Sequence, residues 1–330
     1  MKPNYLRATR DLKENMYQAH CRSLIELAKE NERIVICYAD FPSAEAGEFF
    51  KEHCPDRYID VGIAEGHLIT AAAGLSNSGF IPFTHCHTLF ALGRGYNQIR
   101  QNVAYDRNNV KIILCNSGVI WGGIGPSHHS VEDIAALRAV PNLVILSPAD
   151  AVSTGKTTRA AVEYEGPVVI RLPFIGETYP TIYTEELKYE IGKSLLLRHG
   201  TDVAILAVGS LVNDALEASE MLEDSGIFAS VLDIHTIKPI DEEAIVSAAK
   251  QTGAVVTVED ASIIGGLGGA VAELLSDKWP VPVKRIGVND SFGESGKSKE
   301  LKEHYKLTSS SICAAAKAAI AAKQSRLNPK

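Results

Sequence analysis

The chain has 330 residues, more than the roughly 250 at which single hydrophobic cores stop growing, so two domains are expected. Its 45% hydrophobic and 22% charged residues are those of an ordinary folded chain, which excludes a disordered, collagen-like or coiled-coil protein. A net charge of −7, with Lys and Arg interspersed among acids, leaves no excess of cation for a phosphate backbone and argues against nucleic acid as a partner. No run of about 18 apolar residues marks a membrane span, and residues 1–13 lack the apolar stretch of a signal peptide, so a cytoplasmic location is expected.

Short Val- and Ile-rich runs at 34–38, 110–115, 143–147 and 168–172 read as strands. Between them, 66–78, 93–105, 131–139 and 150–163 have helical length and spacing, with Ser130 and Asp150 as N-cap candidates. Strands buried on both faces and separated by helices predict an α/β chain with mostly parallel sheets. The alternation pauses around Pro173, Gly176 and Pro180 and then resumes, with strands at 202–208, 229–233, 254–259 and 281–288 and helices at 212–224, 241–251 and 266–277. This predicts a first domain over 1–180, a linker over 181–199 and a second α/β domain over 200–330, ending in an Ala-rich helix at 314–323.

The six cysteines are scattered without CxxC spacing, and several lie in apolar runs, so they read as reduced core residues. His85-Cys86-His87 offers two imidazoles but no evident third ligand, so no metal ligand is assigned to this chain. The run Gly265-Gly266-Leu267-Gly268-Gly269 opens a helix after a strand. It lacks GxGxxG spacing and reads better as close helix packing than as a nucleotide turn. No GxxxxGK[ST] and no GxSxG occur. What remains is one acid, Glu65, where an apolar strand turns into the small-residue helix around Ala71-Ala72-Ala73-Gly74. Such an acid either complements the helix dipole or serves as a partly buried carboxylate beside a ligand.

Several runs in order resemble the pyrimidine-binding domain of transketolases: Gly62-Ile63-Ala64-Glu65, the segment from Arg94 to Arg100, Gly125-Pro126-Ser127-His128-His129, and Leu137-Arg138-Ala139-Val140-Pro141. Beyond the linker, Asp233-Ile234-His235-Thr236, Val258-Glu259-Asp260 and Asn289-Asp290-Ser291-Phe292-Gly293 resemble the transketolase C-terminal domain, so the resemblance covers nearly the whole chain. It implies a thiamine diphosphate enzyme that moves a two-carbon ketol unit from a ketose to an aldehyde. The Gly-Asp-Gly half that holds diphosphate and metal is missing from this sequence. The resemblance therefore implies a C-terminal subunit, with a separate N-terminal subunit carrying most of the contacts to Mg2+ or Ca2+, in an α2β2 assembly. By position, Glu65 matches the glutamate that hydrogen-bonds N1′ of the aminopyrimidine and favours its imino tautomer. Phe90 matches the ring that stacks on the pyrimidine, His128 a substrate-facing histidine, and Asp40, in Tyr38-Ala39-Asp40-Phe41-Pro42-Ser43, an aspartate near the thiazolium.

Three positions depart from the family pattern. Phe174 stands three residues after Arg171 where sugar-phosphate enzymes usually carry a second Arg, Ile124 where an aspartate reads a hydroxyl, and Asn116 where a histidine often contacts phosphate. Neither Arg10 nor Arg22 is in register with the N-terminal Arg of the family. Arginine suits phosphate because its donor fork is bidentate and always charged, so these losses predict an unphosphorylated or differently anchored sugar, met by His128, Asn116 and Arg171. The competing reading is the β subunit of a 2-oxo acid dehydrogenase, which shares the architecture and the acid. A third is a non-catalytic subunit, against which the presence of Glu65 argues.

Overall fold

A computed structural model of the chain describes residues 5–9, 14–40 and 50–327. Arg10 and the Phe41-Pro42-Ser43 part of the Asp40 motif lie outside the described residues.

The strands are β1 (Tyr5–Thr9), β2 (Ile34–Tyr38), β3 (Tyr58–Asp60), β4 (Ile81–His87), β5 (Lys111–Cys115), β6 (Val144–Leu146), β7 (Val168–Arg171), β8 (Thr181–Tyr183), β9 (Leu195–Arg198), β10 (Val203–Ala207), β11 (Ala229–Asp233), β12 (Thr236–Lys238), β13 (Val255–Ser262) and β14 (Val283–Val288). They form a seven-stranded sheet in the order β12-β6-β7-β5-β4-β2-β3 and a five-stranded sheet in the order β14-β13-β10-β11-β9. In these two sheets only the edge strands β12 and β9 run antiparallel to their neighbours, so both are mostly parallel, as the alternation of strand and helix predicts. The central strands β2, β4, β5 and β7 are buried along their whole length, because helices cover both faces.

The two sheets are not independent. The chain leaves β11 and contributes β12 to the edge of the first sheet before returning to the second. One apolar cluster joins Ile134, Leu137 and Ile145 to Leu232, Ile234, Ile237 and Val271. The segment 181–199 is structured at both ends: β8 pairs with β1, and β9 extends the second sheet. Lys238 reinforces the seam by donating from Nζ to the carbonyl oxygens of Arg138, at 2.9 Å, and Val140.

Several local expectations are refined. Asp150 caps the helix Ala151–Glu163 through a capping box with Ser153, and its second oxygen accepts from the backbone of Ile182 and Tyr183. Ser130 caps nothing. It pairs with Gly118 through its backbone, and the next helix begins at Asp133 after Glu132, without a side-chain cap. The helix expected over 93–105 starts earlier, as Thr88–Gln98, and passes into a π-helical stretch, Ile99–Tyr105. All six cysteines are buried and unpaired. Among the described residues no helix is long and apolar enough to cross a membrane.

Candidate active site

In an open parallel sheet, loops at the carboxyl ends of the strands converge on one edge, and ligands bind there. Asp40 follows β2, Glu65 lies beyond β3, His87 ends β4, Asn116 follows β5 and Phe174 follows β7, so the candidate residues share this edge. Asp60 shapes the approach to Glu65, since its Oδ1 accepts from the backbone of Asp40 at 3.1 Å and of Gly62 at 2.9 Å. Gly62 takes a φ of +71°, a left-handed turn that a side chain resists.

Glu65 opens the helix Glu65–Asn77 and is 4% exposed. Its oxygens accept from Nη1 of Arg94, at 3.1 and 3.0 Å, on the helix Thr88–Gln98. The two helices approach closely because Gly66 and Gly95 lie between them. A Cβ at Gly66 would come within 3.1 Å of the Arg94 carbonyl, and one at Gly95 within 3.6 Å of the Glu65 carbonyl. The Arg94 guanidinium also covers the Phe90 ring at 4.5 Å. A buried carboxylate, a half-buried ring and a cation linking them form one end of the site.

From Phe90 the site continues through aromatic contacts. His128 stands edge-on to Phe90 at 5.1 Å, to His87 at 5.3 Å and to Trp121 at 5.4 Å. His87, Trp121 and Phe174 form a stack, with centroids 4.9 and 5.5 Å apart and planes within 15°. Asn116, buried and at φ +59°, links His87 to the chain just after Phe174: Nδ2 lies 3.3 Å from His87 Nδ1, and Oδ1 accepts from the backbone of Ile175 at 3.0 Å. Burial pushes the His87 imidazole down to about 4, aided by His128, and lowers His128 itself, so neither ring carries charge near neutral pH.

The loop carrying Trp121 and His128 rests on the second domain. His129 Nε2 lies 2.7 Å from the Trp121 carbonyl, and a Cβ on Gly293 would collide with its ring. The backbone of Gly296 donates to the Gly122 carbonyl at 3.1 Å. The second domain thus braces this loop of the first.

Glu65, Phe90, His128 and Asn116 therefore lie in one connected set of contacts. Asp40 sits at the same edge, exposed and at φ +45°, with its backbone bonded to Asp60. Arg171 does not join them. It is 2% exposed and holds Asp133 at 2.5 Å and Asp260 at 2.6 Å, so its charge is spent between the domains and is closed to substrate. Sequence reasoning assigns no site role to His87, Trp121 or Arg94, although His87 stands in the His85-Cys86-His87 run and Arg94 opens a segment resembling the family. Among the described residues no cluster of His, Cys, Asp and Glu is arranged to hold a metal. The glycine run at 265–269 makes room for Glu259, whose carboxylate accepts from the backbone of Leu267 and Gly268 at 2.7 and 2.8 Å and occupies that helix start itself.

Comparison with known proteins identifies the family. The family model for the transketolase pyrimidine-binding domain matches residues 14–174, and that for the transketolase C-terminal domain matches 192–312. A 6-deoxy-6-sulfo-D-fructose transketolase subunit of Clostridium sp. is 43% identical over 89% of this chain and 90% of its own. One of the subunits of an apulose-4-phosphate transketolase of Phocaeicola vulgatus is 40% identical over 88% of this chain and 93% of its own. A solved split-gene transketolase, described as an inactive beta4 tetramer, superposes with a TM-score of 0.87 at 41% identity, over 94% of this chain and 99% of the other. A carboxylate-led site at the sheet edge, two matching domain models and relatives of the same extent lead to one conclusion: the chain belongs to the transketolase family and corresponds to its pyrimidine-binding and C-terminal half.

Proposed function

We propose that this chain is the C-terminal subunit of a two-chain, thiamine diphosphate-dependent transketolase that moves a two-carbon ketol unit from a ketose to an aldehyde. The observation that carries this reading is Glu65: a buried carboxylate at the carboxyl edge of a parallel sheet, fixed by Arg94 beside the Phe90 ring. That donor set fits the aminopyrimidine of the cofactor, a flat heterocycle whose ring nitrogen needs an acidic partner and whose face needs an aromatic one. When bound, thiamine diphosphate supplies an electron sink for cleavage of a carbon–carbon bond.

In this reading the Glu65 carboxylate shares a proton with the ring nitrogen. Phe90 sets the plane of the ring. The neutral imidazole of His128, with Nδ1 2.9 Å from Ser127 Oγ, accepts and returns a proton at a substrate hydroxyl. Asp40 borders the cofactor end, and Asn116 orders the substrate wall. An N-terminal subunit supplies the diphosphate contacts and Mg2+ or Ca2+, with two copies of each chain in the assembly. The relatives named for sulfofructose and apulose phosphate fit a branch of the family that takes unusual sugars, and Phe174, Ile124 and Asn116 support an unphosphorylated or differently anchored one here.

The test is to mix the chain with its N-terminal partner, thiamine diphosphate and Mg2+ and measure ketol transfer. Transfer that needs both chains and disappears with Glu65→Gln supports the proposal. Release of carbon dioxide from a 2-oxo acid without ketol transfer overturns it. Full activity on xylulose 5-phosphate with ribose 5-phosphate refutes the atypical substrate.

A further inference from the structure

The stack of His87, Trp121 and Phe174 meets the cofactor-side ring Phe90 through His87, at 5.4 Å, and extends away from it through Trp121 to Phe174. The contacts run in order from Glu65 through Arg94 and Phe90 to His128 and His87, then to Trp121 and last to Phe174. The stack therefore lies at the end of the site away from the carboxylate, where the distal carbons of a substrate would extend. It is built to stay in place. Asn116 bonds to His87 and to the backbone of Ile175, next to Phe174, His129 holds the Trp121 backbone, and Gly176 leaves space for the Phe174 ring, since a Cβ there would lie 2.6 Å from its Cζ.

Among the described residues no cation is seated on the rings of the stack. Among the described residues, the cation seated on any ring of the set is Arg94, at Phe90, and it is paired with Glu65. His87 and His128 are neutral near pH 7, because burial lowers both. Ile124, on the same loop as Trp121 and His128, adds an apolar side chain that is 46% exposed. A phosphate or sulfonate placed against the faces of these rings would lose hydration with no ring-seated cation to replace it, whereas C–H groups would gain dispersion contacts with the rings.

Resting on the transketolase reading above, we propose that the His87–Trp121–Phe174 stack is an acceptor subsite for a neutral aldehyde with an apolar or deoxygenated distal end. Trp121 and Phe174 select that end by packing rather than by charge.

In the complex reconstituted with the N-terminal subunit, kcat/KM should be at least tenfold higher for butanal than for erythrose 4-phosphate. Trp121→Ala should lower kcat/KM for butanal about tenfold and leave glycolaldehyde, too short to reach the stack, nearly unchanged. Phe174→Arg should reverse the preference. A second measurement is independent of turnover: in this chain alone, carrying Trp279→Phe, Trp121 is the remaining tryptophan, so its emission should change saturably with butanal and not with erythrose 4-phosphate. Equal or better turnover of the phosphorylated acceptor, or an emission change with it alone, overturns the subsite while leaving the transketolase reading intact. Saturable butanal binding with no ketol transfer to any acceptor supports the subsite and overturns that reading instead.

Discussion

A single nitrogen of Arg94 reaches both carboxylate oxygens of Glu65, which fixes the plane of a group that is only 4% exposed while the arginine remains half in water. The asymmetry decides what substitution does. Removing the charge of Glu65 strands a guanidinium that is 52% exposed and stays hydrated, so the fold loses little. The reaction loses its proton-sharing acid, an effect of about 10²- to 10⁴-fold for groups of this kind. Glu65→Gln should therefore reduce ketol transfer at least a hundredfold with a melting temperature within a few degrees of wild type. A variant with substantial turnover would remove Glu65 from the mechanism.

Arg171 presents the opposite case, because both of its partners are buried with it. Asp133 and Asp260 belong to different domains, and each carboxylate is about as inaccessible as the guanidinium between them. Arg171→Met would leave two buried acids facing each other without a cation, a loss of about 3–5 kcal/mol for a broken buried pair. Urea unfolding should show that loss. The triple variant Asp133→Asn, Arg171→Met, Asp260→Asn should recover part of it, since no stranded charge remains. If Arg171→Met unfolds like wild type, the clamp contributes nothing.

The contrast between Glu65 and Arg171 also shows what the sequence could and could not reveal. Glu65 sits in a short local run, between a turn that needs Gly62 and a helix of small residues, so its place at a strand-to-helix junction is readable from neighbours. The role of Arg171 depends on Asp260, which lies 89 residues away on the other sheet, and no local pattern encodes that. The sheets were legible where strands are uniformly apolar, as in β2 and β10, or nearly so, as in β7. β4 was harder: Thr84, His85 and His87 interrupt its apolar run, yet all are buried, because His85 packs among Tyr17, Tyr38 and Phe50 and His87 against Trp121. The edge strand β12 is only three residues long and joins a sheet from which the chain had already departed, a pairing set by tertiary packing. Phe174 could be marked as an unusual residue from sequence, but its stacking on Trp121 brings together loops after different strands.

Gly266 tests the reading of the glycine run. A Cβ there would fall 1.9 Å from Glu259 Oε2 and 2.4 Å from the Ser262 carbonyl, and the carboxylate cannot retreat without releasing the backbone of Leu267 and Gly268. Gly266→Ala should cost about 1–3 kcal/mol through overpacking. Gly269→Ala, whose nearest neighbour is the flexible end of Arg138 at 3.4 Å, should be close to neutral. Equal effects at the two positions would show that the clash at Gly266 relaxes freely.

Stability should pass through a maximum in pH, and the buried groups indicate where. Burial lowers His20 to about 3, His87 to about 4 and His235 to about 4, and takes His85 well below its usual range. Their unfolded values lie near 6.5, so between about pH 4 and 6.5 the unfolded chain binds protons that the folded one refuses, and stability rises with pH. Asp233 and Glu259 act with the opposite sign. Burial raises both to about 8, so their contribution is complete below about pH 4 and is lost as pH climbs towards 8. Below 6.5 the histidines, with His128 and His129 also lowered, outnumber the acids, with Asp133, Asp150 and Asp214 also raised; from about pH 7 Lys111, which burial lowers to about 7, offsets part of the loss from Asp233 and Glu259. The melting temperature of the isolated chain should therefore peak near pH 6.5, with net slopes on the order of 1 kcal/mol per pH unit on either side. Asp233→Asn mimics the neutral acid and can still accept from the Tyr183 hydroxyl, which lies 2.7 Å from Oδ2 in the native protein. It should flatten the alkaline limb and raise stability at pH 8 relative to wild type. A wild-type melting temperature that climbs steadily from pH 6.5 to 8, or an alkaline limb unchanged by Asp233→Asn, would show that Asp233 ionises in the fold at little cost.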